Sequence, residues 1–258
     1  MATLPNPLPR IASLGLELPP GRLIDTTVDG PWHEPLLWCA DGPAAPGAWT
    51  TFQHARRTIG LLPVIVDVGG PQGAPEDWEL MPDEMSYPGD HDAGEVLAEF
   101  WEACAADGEE WPGPAGEPET SRAADPDTVA AEIAGTLLEP GGPYKDPRLA
   151  LVPARRSADI PTAIGWTGPM NHENDTARLS SVLRDWEDRF GIRVVALGFD
   201  HLLVSVATPP TRLTDAEALA AEHFAFCPDN ILQSRHPTLP GYAEHLILDQ
   251  PAWHFWWD

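Results

Sequence analysis

Lysine is nearly absent from this chain of 258 residues, and basic residues as a whole are scarce. Lys145 is the one lysine, and the 15 basic residues face 40 acidic ones, which gives a formal net charge of −25. Nucleic-acid binding depends on lysine and arginine side chains that displace counterions from phosphates, so the composition disfavours it. The same charge attracts a basic protein partner or cations. Solubility is the simpler explanation of the acidity.

Cysteine and sequence-local catalytic motifs are also sparse. The chain has Cys39, Cys104 and Cys227, an odd number without a CxxC pair, which argues against a disulfide framework and a structural zinc site. It contains no HExxH, HxH, GxSxG or Walker pattern. We therefore predict no cofactor and no metal site, and the sequence leaves any catalytic residues unknown.

Long apolar runs are missing as well. No run reaches the roughly 18 residues that a membrane-spanning helix needs. The first residues, MATLPNPLPR, lack the charged start and apolar stretch of a secretory signal. We expect a cytoplasmic protein with no membrane partner. The hydrophobic content of 43% is that of a globular protein with a real core.

Residues 1–105 are predicted to form an N-terminal α/β region. Thr50 and Gln53 make a T-x-x-Q capping-box pattern, which predicts a helix that stops before Gly60. The run LLPVIVDV at 61–68 is continuous, apolar and rich in β-branched residues. Such a run predicts a strand that is buried on both faces of a sheet.

Two further segments complete the predicted organisation. Residues 106–127 are acidic and rich in proline and glycine, which predicts a linker. Residues 128–258 follow as a C-terminal α+β domain, in which the elements from residue 148 are strand, helix, strand, strand and helix. This order predicts a small mixed or antiparallel sheet with helices on one face, and a ferredoxin-like arrangement is one form that it can take.

Local signals place the helices of this second half. Asp175 is the predicted N-cap of a helix that Gly191 ends, and Arg184 with Asp188 and Asp185 with Arg189 are predicted ion pairs on its outer side. Thr214 and Glu217 predict a second capping box, for the helix that follows.

Several motifs in the second half come in a particular order. They are GWTGPMNHEND (165–175), WEDRFG (186–191), VVALGFDHLLVSVATPP (194–210), AEHFAFCPDNILQ (221–233) and WHFWWD (253–258). With these motifs, residues 148–258 resemble the bacterial domain of unknown function 4253. The resemblance implies a fold and a bacterial origin. It implies no activity and no roles for particular residues.

The stretch AEHFAFCPDN, residues 221–230, is the first candidate site. On a continuous helix His223 and Cys227 would share a face, and with Asp229 they could bind a metal or form a Cys–His nucleophile pair. Pro228 argues against this, because the residue before a proline is pushed out of helical geometry. The helix should then end near Phe226, with Cys-Pro-Asp-Asn as a β-turn and Cys227 as a core residue.

Three further places offer polar groups. Asn171 and Asp175 lie just before a helix N-terminus, which suits an anion, although Asp175 as a cap needs no ligand. Asp200 stands beside His201 at a hairpin tip and would need a partner such as Glu222 or His223 for catalysis. Trp166 is predicted to share a core with the aromatic tail at 253–257. The ligand-binding candidates are therefore Trp166, Asn171, Asp175, Asp200, His223, Cys227 and Asp229.

Two hypotheses of function follow. The first is a non-enzymatic protein-interaction or immunity-type module that binds a basic partner, because the chain is acidic and lacks a recognisable catalytic motif. The second is a small enzyme or a metal- or ligand-binding protein that uses the His/Cys/Asp cluster at 223–229. Convergence of the segments 171–175, 200–201 and 223–229 on one pocket would favour the second.

Overall fold

A computed structural model describes residues 5–45, 47–118 and 124–258. The strands are β1 Gly21–Ile24, β2 Thr26–Thr27, β3 Gly30–Pro31, β4 Leu37–Ala40, β5 Leu62–Asp67, β6 Pro147–Val152, β7 Arg193–Leu197, β8 His201–Ser205 and β9 Ala252–Trp256. The helices are α1 Ala48–Ile59, α2 Ala93–Cys104, α3 Pro126–Leu137, α4 Ile160–Ile164, α5 Thr176–Phe190, α6 Leu213–Phe226, α7 Asp229–Leu232 and α8 Leu239–Tyr242. A π-helical turn, Ala243–Ile247, follows α8 directly.

Seven of these strands form one mixed sheet in the order β1-β4-β6-β5-β7-β8-β9, and β2 and β3 form a separate hairpin. Neighbouring strands are antiparallel except β5 and β7, which run parallel. The α+β class and the mixed sheet are as predicted. The ferredoxin-like arrangement is wrong, because β5 separates β6 from β7 and β9 extends the sheet beyond β8.

Helices cover both faces of the whole sheet, whereas the helices from residue 148 on pack on one face, as predicted. Along β5, Val64 and Val66 belong to the core beneath α2, α5 and α6, whereas Ile65 belongs to the core beneath α1 and α3. Side chains alternate between the two faces of a strand, so a strand between two helical layers is apolar throughout. The doubly buried strand predicted at 61–68 is confirmed, since residues 62–66 are all buried.

The predicted N-terminal and C-terminal parts share this sheet. β5 comes from the first part and hydrogen-bonds to β6 and β7 of the second. Residues 126–127 of the predicted linker form the first turn of α3, and 119–123 lie outside the described residues. The division of the chain into two domains joined by a linker at 106–127 stays a prediction. Strands from both sides of that linker are hydrogen-bonded in one sheet.

Local capping rules were only partly sufficient. Asp175 caps α5 as predicted, and Asp92 caps α2, each accepting a hydrogen bond from a backbone N–H of the first turn. The capping boxes predicted at Thr50 and Thr214 are wrong, because α1 and α6 begin before these residues. The Gln53 amide donates instead to the Asp127 carbonyl, a contact that sequence spacing does not reveal.

The two predicted ion pairs on α5 have different outcomes. Arg189 binds Asp185 at 2.5 Å, as the i,i+4 spacing predicts. Arg184 turns away from Asp188 and binds Asp159 in a bidentate pair at 2.5 and 2.9 Å. Two parallel hydrogen bonds to one carboxylate are stronger than a solvent-exposed i,i+4 ion pair. Arg184 therefore pairs with Asp159 and not with Asp188.

No helix in the described part of the chain is both long enough and apolar enough to cross a membrane.

Alanine substitutions at two glycines test this packing, because we expect them to change the free energy of unfolding in opposite directions. Gly165 has φ of 67°, and a Cβ there would lie 2.2 Å from the Pro82 nitrogen. We expect Gly165→Ala to lower the free energy of unfolding by at least about 1 kcal/mol, through left-handed strain and the clash. Gly135 lies in α3 with open space around it. Gly135→Ala should therefore raise the free energy of unfolding by roughly 0.5–1 kcal/mol. Urea unfolding measures both, and a stabilised Gly165→Ala would contradict the fold.

Candidate functional site

The aromatic tail docks onto the sheet as the edge strand β9, as the sequence predicts. β9 pairs with β8 from His201↔Trp256 to Ser205↔Ala252. Trp253, Phe255 and Trp257 are 1%, 0% and 3% exposed, so their rings belong to the core. This docking decides where most of the candidate residues point.

The outer edge of β9 is occupied by side chains from the end of α6 and from α7. The Asn230 side-chain amide donates to the His254 carbonyl at 2.5 Å, and its oxygen accepts from the Trp256 N–H at 3.1 Å. The Cys227 thiol donates to the Trp256 carbonyl at 3.0 Å. Asn230 therefore pairs with two backbone groups that a neighbouring strand would otherwise engage.

The other candidates meet the last two residues of the tail. The Trp257 N–H donates to the Asp200 carbonyl at 3.0 Å, and the Trp166 and Trp257 rings lie 5.6 Å apart. The Asp258 N–H donates to the Asp229 carboxylate at 3.2 Å. The Asn171 amide donates to the Asp258 carbonyl at 2.6 Å. One residue of each predicted segment, Asn171, Asp200 and Asp229, therefore meets the tail of the chain.

Asp175 is the exception among the candidates. Its carboxylate accepts from the Ala177 N–H at 3.0 Å and caps α5. It also accepts from the Ser86 N–H at 3.1 Å and so ties the loop before α2 to α5. Both contacts are structural, in line with the prediction that a cap needs no ligand.

His223 lies in the centre of the core between α6 and β9. Its ring is fully buried among Trp186, Trp253 and Phe255, with ring centroids 4.7–4.9 Å away. Its Nδ1 contacts the Tyr242 hydroxyl at 3.2 Å, and its Nε2 has no partner among the described residues. Burial, with the positive charge of Arg189 as a smaller cause, lowers the pKa of His223 to about 3. The imidazole is therefore neutral at physiological pH.

Cys227 follows the last residue of α6, which confirms the helix end predicted from Pro228. Its carbonyl accepts from the Asn230 N–H at 3.2 Å, and the β-turn predicted there is the start of the short helix α7. Burial raises the pKa of the Cys227 thiol to about 12. A reactive cysteine needs an accessible thiolate with a lowered pKa, and this thiol has the opposite properties.

Asp200 and His201 stay apart from the histidine of α6. Their side chains contact each other at 3.2 Å, and the His201 ring stacks on Tyr144. Along β8, Leu202 and Val204 face the core beneath α6, so His201 points to the opposite face. The structure therefore does not bring Glu222 or His223 to His201.

No group of three or more His, Cys, Asp or Glu side chains in the described ranges is arranged to hold a metal ion. Cavities of about 20 and 140 Å³ open at the surface of the described part of the chain. Both are lined by residues other than the seven candidates.

Residues 148–258 match the family model described as Domain of unknown function (DUF4253). The C-terminal part of this chain is a DUF4253 domain. The resemblance found in the sequence is confirmed, and the domain contains β7, β8 and β9 and all seven candidate residues. No curated protein and no solved structure matches the chain.

A buried polar cluster, which no local motif indicates, joins the DUF4253 domain to Ala115 of the preceding segment. Glu222 is 0% exposed and accepts hydrogen bonds from Trp186 Nε1, Arg189 Nη2 and the Ala115 N–H, each at 2.6 Å. Arg189 Nη1 donates to the Ala115 carbonyl at 3.1 Å. One signal was available: residues 219–226, LAAEHFAF, are apolar around Glu222 and His223, so a carboxylate there requires a partner.

We expect the neutral core histidine to make stability depend on pH. Below pH 6.5 His223 is protonated in the unfolded chain. In the folded protein the pKa of His223 is about 3, so it stays neutral until the pH is much lower. Stability is therefore lost as the pH falls from 6.5 towards 3. Between pH 7.5 and 5, His223→Asn should lose up to about 2 kcal/mol less than wild type in urea unfolding. His33→Asn, at an exposed site, should keep the wild-type dependence. Equal slopes for wild type and His223→Asn would contradict this account.

Removal of the buried acceptor should be costly. Glu222→Gln removes the buried charge beside Arg189, which keeps Asp185 as its charged partner, and we expect a loss of roughly 1–3 kcal/mol in the free energy of unfolding. Glu217, on the same helix, is the matched control, and Glu217→Gln should change it by less than about 0.5 kcal/mol. A loss for Glu222→Gln that is as small as the one expected for Glu217→Gln would contradict a stabilising role of the cluster.

Proposed function

We propose that this protein is a non-enzymatic interaction module that binds a positively charged protein partner through an acidic surface. The observation that carries the proposal is the distribution of charge. Most of the arginines are engaged in internal ion pairs, and long stretches of exposed acid have no basic residue beside them in sequence.

Most of the positive charge is neutralised within the molecule. Nine arginines form ion pairs with Asp or Glu: Arg22, Arg56, Arg148, Arg156, Arg178, Arg184, Arg189, Arg193 and Arg212. The chain has 40 acidic residues and 15 basic ones, so its net charge of −25 is carried by acids without a basic counterpart. Such a field raises the association rate of a cationic partner and weakens as salt is added.

The surplus is concentrated in one stretch of the chain. No Lys or Arg occurs between Arg57 and Arg122. From 77 to 110 the exposed acids are Asp77, Glu79, Asp83, Glu84, Asp90, Asp92, Glu95, Glu99, Glu102, Asp107, Glu109 and Glu110. Within the described residues, Glu99 is the member of this set that pairs with an arginine, Arg178.

α2 presents part of this acid on a rigid support. Glu95, Glu99 and Glu102 are spaced four and three residues apart, so they lie on one side of the helix. The opposite side, with Phe100 and Trp101, is buried against the core. A surface that is already ordered loses less entropy on binding than a flexible acidic tail.

The alternative of a small enzyme or metal-binding protein at 223–229 has weaker support. His223 and Cys227 are sealed in the core and contact β9. Asp229 is turned to the backbone of the tail and to Gln233. An immunity-type protein that neutralises a basic toxin is one specific form of the interaction function, by analogy with acidic inhibitors.

The test compares two pairs of charge-neutralised variants. Glu95→Gln with Glu102→Gln removes two charges from α2. Glu132→Gln with Glu139→Gln removes two exposed charges on or just after α3, on the opposite face of the sheet. Tagged proteins are used to recover partners from native lysate of the source organism at low and high salt. We expect wild type and the α3 pair to retain a basic partner, and the α2 pair or high salt to lose it.

Two outcomes would count against the proposal. One is the absence of any partner above background with wild type. The other is recovery of a partner that the α2 pair and the α3 pair bind equally, since the acidic surface would then not be the interface.

A further inference from the structure

Two histidines meet on the surface of the segment that follows α7. His236 and His245 are nine positions apart, and the turn through α8 brings their rings to a centroid distance of 4.0 Å with an angle of 14° between planes. His245 is exposed and His236 is half-buried. Neither belongs to the tail contacts or to the acidic stretch described above.

The hydrogen bond of His245 leaves its Nε2 without a proton and able to bind a metal ion. Its Nδ1 lies 3.0 Å from the Gly241 carbonyl, and a carbonyl can only accept, so Nδ1 carries the proton. In the neutral ring Nε2 is then a free lone pair. A backbone carbonyl on the other ring nitrogen is the usual orienting partner of a metal-binding histidine.

The backbone around the pair is unusual and well anchored. His245 sits in the π-helical turn Ala243–Ile247, closed by the Leu248 N–H to Ala243 carbonyl bond at 2.9 Å. Isolated π turns are rare and occur frequently at functional sites. Tyr242, directly before it, is 2% exposed and contacts Asn230, so the frame that carries His245 is fixed to the core.

We propose that His236 and His245 form a surface site for a divalent transition-metal ion of the Zn²⁺ or Cu²⁺ type. Imidazole nitrogens suit these borderline ions, whereas Ca²⁺ and Mg²⁺ prefer oxygen ligands. The strongly negative chain raises the local concentration of cations. This inference does not rest on the proposed partner binding.

Metal binding requires a rotation of the His236 ring. A metal ion lies in the plane of each ring that binds it, so two nearly parallel rings must open. His245 is held by Gly241, whereas no hydrogen bond joins the His236 ring to another residue of the described part. His236 turns about χ2, a torsion with a broad and soft potential. Water, or a donor from another molecule, fills the remaining positions.

The experiment is a calorimetric titration of untagged protein with Zn²⁺ and, separately, Cu²⁺ in chelator-free buffer. We expect one equivalent to bind. His236→Asn and His245→Asn should each lower the affinity by at least about tenfold. His33→Asn removes an exposed histidine elsewhere and should leave the affinity unchanged. Far-UV circular dichroism checks that the variants remain folded.

A Ca²⁺ titration separates this site from the acidic surface. Ca²⁺ should give no binding that depends on His236 or His245. The proposal is overturned if wild type binds neither Zn²⁺ nor Cu²⁺. It is equally overturned if the two variants bind as wild type does, or if His33→Asn weakens binding as much as they do.

Discussion

A carboxylate that has no access to water must have every hydrogen bond supplied by the protein, and Glu222 imposes this constraint on three parts of the chain. Trp186 and Arg189 fix α5 against α6, and the Ala115 N–H fixes the segment between α2 and α3. A segment rich in proline and glycine, which the local sequence predicts as a linker, is thus bound to the core at Ala115, and the Trp101–Trp111 ring contact adds a second attachment. The same cluster forms one wall around the His223 ring, through Trp186.

The sequence was sufficient at several places where the rule is local. The end of α6 follows from Pro228, the cap of α5 from Asp175, and the double burial of β5 from an unbroken apolar run. Each of these depends on residues within a few positions of one another. The docking of the tail could also be predicted, because a stretch with three tryptophans is costly to leave in water.

Long-range pairing could not be predicted in the same way. Nothing in the spacing of β6 and β7 indicates that β5 lies between them, and this insertion removes the ferredoxin-like order. Arg184 has an acid four residues away and another on a different element, and the bidentate geometry of Asp159 is visible only once the chain is folded. The histidine pair at 236 and 245 has no motif spacing either, since a turn of two short helices joins them.

The Asn230 amide has a consequence for how copies of this protein behave together in concentrated solution. An edge strand with free N–H and C=O groups is a template on which a second chain can add, and such addition leads to fibres and precipitates. At the β9 edge, Asn230 and Cys227 already occupy the groups of His254 and Trp256. The high negative charge repels copies of the protein at long range, and the occupied β9 edge prevents strand pairing when two copies touch. Added salt screens the charge repulsion but leaves the edge occupied.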